Sequence, residues 1–299
     1  MKPFDPFSIV IAINQLTDVV NQASQPNVFK DYIMPVFVVI LSAITAYFIA
    51  IRGYQFQEAA KNERMKADTL NSIVLKMQTM QGNLIATKKN YFVKLGSNPI
   101  ERALSIPSMP SNLEPVRIPT NELAQLIYTK NTDIVKNPWL DFASYVSTFN
   151  NFNLLVNILN IRNELVNEIH RQLAPLISGS GAKGEVSVED AYNLLDETTK
   201  IKYIDLTENL ITMIDDLLET LNDFMINFPL QTNGILNKKY LKNYVILRGY
   251  KNNSDVFLKL LERSPSVDLQ QLGAYMKITE AEAKSRYVDN SVVITTPKL

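Results

Sequence analysis

Residues Tyr32 to Ile51 read YIMPVFVVILSAITAYFIAI, twenty consecutive positions without a charge. At 1.5 Å of rise per residue, a helix of that length matches the roughly 30 Å hydrocarbon core of a bilayer. Lys30 and Asp31 close the run on one side and Arg52 on the other. The stretch therefore predicts one transmembrane helix over residues 32–51. The mean hydropathy of the whole chain is close to zero, so the run is an apolar island in a water-compatible sequence.

Residues 1–31 form an N-terminal arm. Its apolar segment, Phe7 to Ile13, is followed by Asn14, Gln15 and Asp18. Seven residues are too few to cross a bilayer, and the arm lacks the basic start and small-residue cleavage site of a signal peptide. An amphipathic helix at the membrane surface is the expectation, which makes the arm extracytoplasmic or interfacial. The flanking charges set the orientation. The arm carries only Lys2 and Lys30, whereas Arg52, Lys61, Arg64 and Lys66 follow the span within fifteen residues. Basic residues collect on the cytoplasmic side, so the N-terminus is expected outside and the C-terminal body inside an inner membrane.

Residues 52–95 predict a long juxtamembrane helix continuous with the span, because no proline occurs between Val36 and Asn98. It would reach about 60 Å into the cytoplasm. Leu70, Ile73, Met77, Met80, Leu84 and Tyr91 recur at three- and four-residue steps, the spacing of a coiled coil or bundle. Within the span, Ser42, Ala46 and Ala50 form a small-residue ridge that lets two helices approach closely. Stepping on through Gly53 and Ala60 brings this ridge to Leu70, Met77 and Leu84. That set is the candidate helix–helix interface of a parallel homodimer; the competing reading packs the stripe within its own chain.

Five prolines (Pro99, Pro107, Pro110, Pro115 and Pro119) mark residues 96–119 as an extended linker without helix. Residues 120–252 are expected to form a helical bundle. A short helix starts near Asn121, and Asn137-Pro138 opens a longer one through its cap and first-turn proline. Tyr145, Phe149, Phe152, Val156, Leu159, Val166 and Leu173 line one side of that helix, together with Asn163 and the only histidine, His170. A lone histidine on such a stripe reads as a core or boundary residue, and no metal triad accompanies it. The loop SGSGAKGE at 178–185 lacks the order of a phosphate-binding loop. A helix capped by Ser187 follows and is expected to run to Phe228, stopped by Pro229. Its stripe is Leu206, Leu210, Met213, Leu217, Leu221, Phe224 and Phe228. Ten Asp/Glu lie between Glu189 and Asp223. Among them Asp215, Asp216 and Glu219 read as a solvated acidic face, facing the basic stretches 52–95 and 238–251.

Residues 253–290 predict three short helices, with Thr279 and Glu282 forming a capping box. In spacing, DLQQLGAYMKITEAEAKSR (268–286) resembles a helix-turn-helix. That resemblance would imply DNA contact, but the second helix opens with Glu280 and Glu282, where phosphates require positive charge. Residues 291–299, SVVITTPKL, form a tail, read as either disordered or adding to a partner's sheet edge.

Lys+Arg and Asp+Glu balance at 30 each, and there is no cysteine. Global charge thus gives no argument for nucleic acid as a partner. Disulfides, thiolate zinc sites and cysteine nucleophiles are excluded. Low glycine content, with none between Gly96 and Gly179, favours an all-α fold. The expected architecture is a single transmembrane helix continuing into a long cytoplasmic helix that packs with an antiparallel helical bundle. No catalytic, cofactor-binding or metal residues are assigned, and no cofactor is expected. The expected function is a membrane-anchored interaction protein (scaffold, sensor or regulator) rather than an enzyme. Its partners would be the lipid bilayer, a second copy and a cytoplasmic protein. The competing readings are an enzyme whose residues meet only on folding and a membrane-bound DNA-contacting factor. A channel is disfavoured, since one span offers only Ser42 and Thr45 as polar lining.

Overall fold

The computed structural model describes residues 6–24, 27–109, 113–118, 120–127, 138–179, 188–232, 234–249 and 251–296. Among the described residues the fold is all-helical and contains no strand. The chain divides into two compact units, Met1–Lys61 and Asn62–Leu299.

The first unit begins with α1, Pro6–Ser24. Ile9, Ile13, Leu16 and Val20 recur on one side of it and are all exposed. A π-helical turn, Phe29–Ile33, then leads into α2, Met34–Lys89. Asn27 and Asp31 brace that turn reciprocally. The Asn27 N–H donates to Asp31 Oδ2 at 2.9 Å and the Lys30 N–H to Asn27 Oδ1 at 3.3 Å. The wide turn has a local cause. Pro35 lacks an N–H, and its ring crowds the carbonyl four residues back, that of Asp31; extra width relieves the clash. No further proline interrupts the 56 residues of α2.

The second unit is a bundle whose main core draws on α2, α5 (Phe142–Gly179) and α7 (Glu197–Thr232). α5 packs along α7. From α2 come Leu70, Ile73, Met77, Met80 and Leu84, every one at 0 % exposure. Tyr145, Phe149, Phe152, Val156 and Leu159 supply the face of α5. A knot of edge-to-face rings closes one end of the core: Trp139 meets Tyr145 and Phe224 at 5.9 and 5.0 Å between centroids. Such pairs add about 0.5–1.5 kcal/mol each beyond the area they bury.

Several expectations are corrected. The proline-rich linker contains a helix, α3 (Pro99–Ser105), because Pro99 occupies the first turn and Asn98 caps it, accepting from the N–H groups of Ile100 and Glu101. α4 is Thr120–Leu126. Pro138 opens a 3₁₀ turn, Pro138–Leu140, before α5 starts at Phe142; the cap position Asn137 lies outside the described residues. His170 is exposed while Arg162 and Ile169 are buried. The helix expected from Ser187 is broken in two, α6 (Val188–Leu194) and α7, with Ser187 outside the described residues. Asp196 makes the break, since its carboxylate accepts from the Thr199 N–H and hydroxyl at 3.0 and 2.6 Å. Those bonds hold its pKa below the ordinary carboxylate value.

Pro229 does not stop α7 either, which runs on to Thr232. A proline at 229 leaves the Met225 carbonyl without its i+4 donor. The backbone of Gly249 approaches there so closely that a Cβ would lie 1.8 Å from the Met225 oxygen and 2.7 Å from Pro229 Cγ.

The C-terminal helices α8 (Asp255–Leu261), α9 (Leu269–Met276) and α10 (Glu280–Lys284) follow the expected plan. Lys277 adopts a left-handed conformation at the end of α9, and Thr279 caps α10 by accepting from the Glu282 N–H. Gly273 is required at this turn because a Cβ there would come within 2.9 Å of the Ile278 carbonyl.

Candidate functional site

The expected helix–helix interface falls into two environments. Ser42, Ala46, Ala50 and Gly53 are exposed, and Ala60 is half-buried. Apart from the adjoining backbone of its own helix, nothing lies within 4 Å of where a Gly53 Cβ would stand. Leu70, Met77 and Leu84 are fully buried in the core of their own bundle. They face helices of the same chain, so they offer nothing to a second copy, and the stripe is not one homodimer face from end to end. The small-residue ridge remains as surface.

The most polar constellation lies along α7; of its pairings, only a contact with the basic stretch 52–95 is expected from the sequence, and Lys88 of that stretch meets Asp215. Glu208 and Asp215 are seven residues apart, on one side of the helix, and each meets a buried cation. Arg102 Nε and Nη2 hold Glu208 Oε1 and Oε2 at 2.8 and 3.0 Å, a bidentate pair. The same guanidinium donates to the carbonyls of Gly96 and Pro265 at 3.0 and 2.6 Å. Lys88 Nζ lies 2.7 Å from Asp215 Oδ1 and donates to the Glu262 carbonyl at 2.6 Å. Asp215 also accepts the N–H and hydroxyl of Ser264 at 2.7 and 3.2 Å. Arg162, at 0 % exposure, donates to Thr207 Oγ1 at 3.1 Å and to the carbonyls of Ala103 and Ile106 at 2.9 and 2.7 Å.

Three cations thus tie α7 to the chain on either side of α3 and to the segment between α8 and α9. Burial pushes the Glu208 carboxyl above its usual range, opposed by Arg102. Burial likewise lowers Arg162 and raises Tyr91, whose pKa the Asp215 charge raises further. Each carboxylate is spent on fixed donors, an arrangement that clamps loops rather than relays protons. Asp216 is buried too, paired with Arg263, which also lies 3.9 Å from Glu219. The expected solvated acidic face is therefore corrected at Asp215 and Asp216. Their partners come from α2 and the C-terminal region, not from residues 238–251. Among the described residues no group of three or more His, Asp or Glu is placed to hold a metal.

A sequence signal for these groups existed. Lys88 follows Leu84 by four residues and precedes Tyr91 by three; Arg162 follows Leu159 by three and precedes Val166 by four. A charge at a position that the apolar stripe claims is a charge that must find a buried partner.

Asparagines supply a second recurring device, in which a helix side chain pairs with non-helical backbone as a neighbouring strand would. Asn153 accepts from the Val116 N–H at 2.8 Å and donates to the Val116 carbonyl at 3.1 Å. Asn163 treats Met109 in the same way, at 3.1 and 2.6 Å. Asn71 donates to the Val245 carbonyl at 2.9 Å and accepts from the Leu247 N–H at 2.7 Å.

Two cavities of about 290 Å³ flank α7. One is lined by Arg102, Glu208, Asp215, Ser264 and Tyr287. The other is bordered by Asn209, Met213, Asp216, Arg286 and Val292. No family model matches the chain, and no curated protein or solved structure matches it either.

Proposed function

We propose that this chain is a single-pass membrane-anchored interaction protein, a scaffold, sensor or regulator, whose antiparallel helical bundle lies in the cytoplasm. One observation carries the reading. The most apolar 18-residue window of the long helix is long and apolar enough to cross a membrane, and none of it is buried by its own chain. The core helix of a soluble protein would be covered. Uncovered apolar surface on this scale, far beyond the few hundred Å² that soluble monomers carry, calls for lipid. The basic residues after Ile51 favour an outside N-terminus, and α1 then lies in the interface with its apolar side in the headgroup layer. This role requires no catalytic centre.

Resistance of the full chain to alkaline carbonate extraction tests the anchor, and release into the soluble fraction would sink it. The absence of cysteine allows a direct test of sidedness. In intact cells a membrane-impermeant maleimide should label Ser8→Cys and spare Lys94→Cys; the reverse pattern would invert the topology. The small-residue ridge supports a parallel homodimer confined to the span. Ala46→Cys should crosslink to a second copy, and buried Met77→Cys should not; failure at Ala46 would leave a monomeric tether.

A further inference from the structure

Asp216, Thr220 and Asp223 stand at i, i+4 and i+7 on α7, and each accepts a hydrogen bond from the backbone of the C-terminal segment. The Val292 N–H donates to Asp216 Oδ2 at 3.1 Å, the Ile294 N–H to Thr220 Oγ1 at 3.1 Å and the Thr296 N–H to Asp223 Oδ2 at 3.0 Å. The donors are alternate residues. Seven helical residues advance about 10 Å and four extended residues at most about 13 Å, so the two repeats run in step only when the segment is nearly extended. One side of α7 thus does for an extended peptide what a sheet edge does, with side-chain oxygens in place of carbonyls.

Two properties mark the resident segment as a removable occupant. Its attachment along its length is through main-chain N–H groups, which any residue but proline supplies, with side-chain bonds only at its ends: Ser291 Oγ donates to Asp216 at 2.7 Å and accepts from Arg263 at 2.9 Å, and Thr296 Oγ1 donates to Asp223 at 2.8 Å. Its apolar side chains are only partly covered, since Val292 is 56 % exposed while Val293 and Ile294 are partly buried, Ile294 against the main core. Beside Val292 the segment leaves open the cavity of about 290 Å³ between Asn151, Asn209, Met213 and Leu217. A longer side chain at that register would fill it.

We infer that this face of α7 is a binding site for an extended segment of a partner protein, held at present by the chain's own residues 291–296. Backbone N–H groups on alternate residues supply the affinity. Selectivity comes from a side chain entering the cavity. The inference goes beyond the anchor reading and does not depend on it, because peptide binding is measured in detergent micelles whether or not the span crosses a bilayer.

The probe is a fluorescein-labelled peptide, SVVITTPKL, titrated against the full chain. The resident tail competes intramolecularly at an effective concentration near millimolar. Ile294→Pro, which removes the middle donor, should therefore bind the peptide at least about tenfold more tightly than the wild type. A chain ending at Asn290 should do the same, and both variants should melt within a few degrees of the wild type. N-methylation of the peptide at Ile294 should abolish binding, while N-methylation at Val293 should not. The inference is overturned if neither variant binds the peptide, if the wild type binds it equally well, or if both N-methylations cost the same. It is also overturned if both variants unfold, since the tail would then be an integral part of the core.

Discussion

Residues 32–51 carry no charge at all, whereas the bundle buries Lys88, Arg102, Arg162, Glu208 and Asp215 at 5 % exposure or less. On the proposed anchor reading both regions are apolar surroundings for a side chain, and they treat charge in opposite ways. Lipid offers no fixed dipole, so a charge there meets its solvation cost alone. A folded core can place a counter-charge and several carbonyls before the charge arrives. Arg102 has a carboxylate and two carbonyls, Lys88 a carboxylate and one. Charge is excluded where the surroundings are fluid and used where they are built.

The contrast breaks most sharply if a buried partner is removed. Lys88→Met removes the buried counter-charge of Asp215 and leaves it only the bonds from Ser264, and urea unfolding of the full chain should show a loss of about 3–5 kcal/mol. Adding Asp215→Asn should restore most of it; a single variant within about 1 kcal/mol of wild type would mean that the core did not need the pair.

Arg102→Met should cost a similar amount, with a pH signature. Burial already raises the Glu208 pKa above its ordinary 4.5, and Arg102 opposes the rise. Without the arginine the folded value climbs further. In that window the folded state holds a proton that the unfolded state has released, so stability falls as pH rises. The gap between variant and wild type should be smallest in acid and widen toward neutral pH. A gap that does not change with pH would remove Glu208 as its cause.

The reverse substitution sharpens the other side. Ala46→Lys places a charge where the span has none and should cost about 2.5–3.5 kcal/mol of insertion, read as reduced membrane integration in a translation reporter. Leu75→Lys, at an exposed site of the same helix, should change stability by less than about 0.5 kcal/mol. Equal effects at the two positions would erase the distinction. Asn153→Ala, which releases both bonds to Val116, should lower stability by about 1–2 kcal/mol. A thermal melt unchanged by that variant would make the amide clamp ornamental.

Long periodic helices were readable before any coordinates. The stripes of residues 70–91 and 145–173 are core faces because a 3.6-residue repeat with one wet side has one way to bury its apolar residues. Prolines misled where position mattered more than identity. Pro99 starts a helix, and Pro229 sits inside one with the Gly249 backbone packed against it. Along α7 the periodicity marked a face but not its neighbours, so Asp215 and Asp216 read as solvated when their cations lie far away in sequence.

By itself the sequence determined the all-helical class, the twenty-residue apolar run and its flanking charges. These are local properties, set by side-chain type and helical repeat. Only the tertiary structure decided that Leu70, Met77 and Leu84 face their own chain, that Lys88 meets Asp215, and that the last residues lie along α7. Each depends on residues brought together from more than seventy positions apart or on which of several apolar partners a stripe selects, and no window of sequence carries that choice.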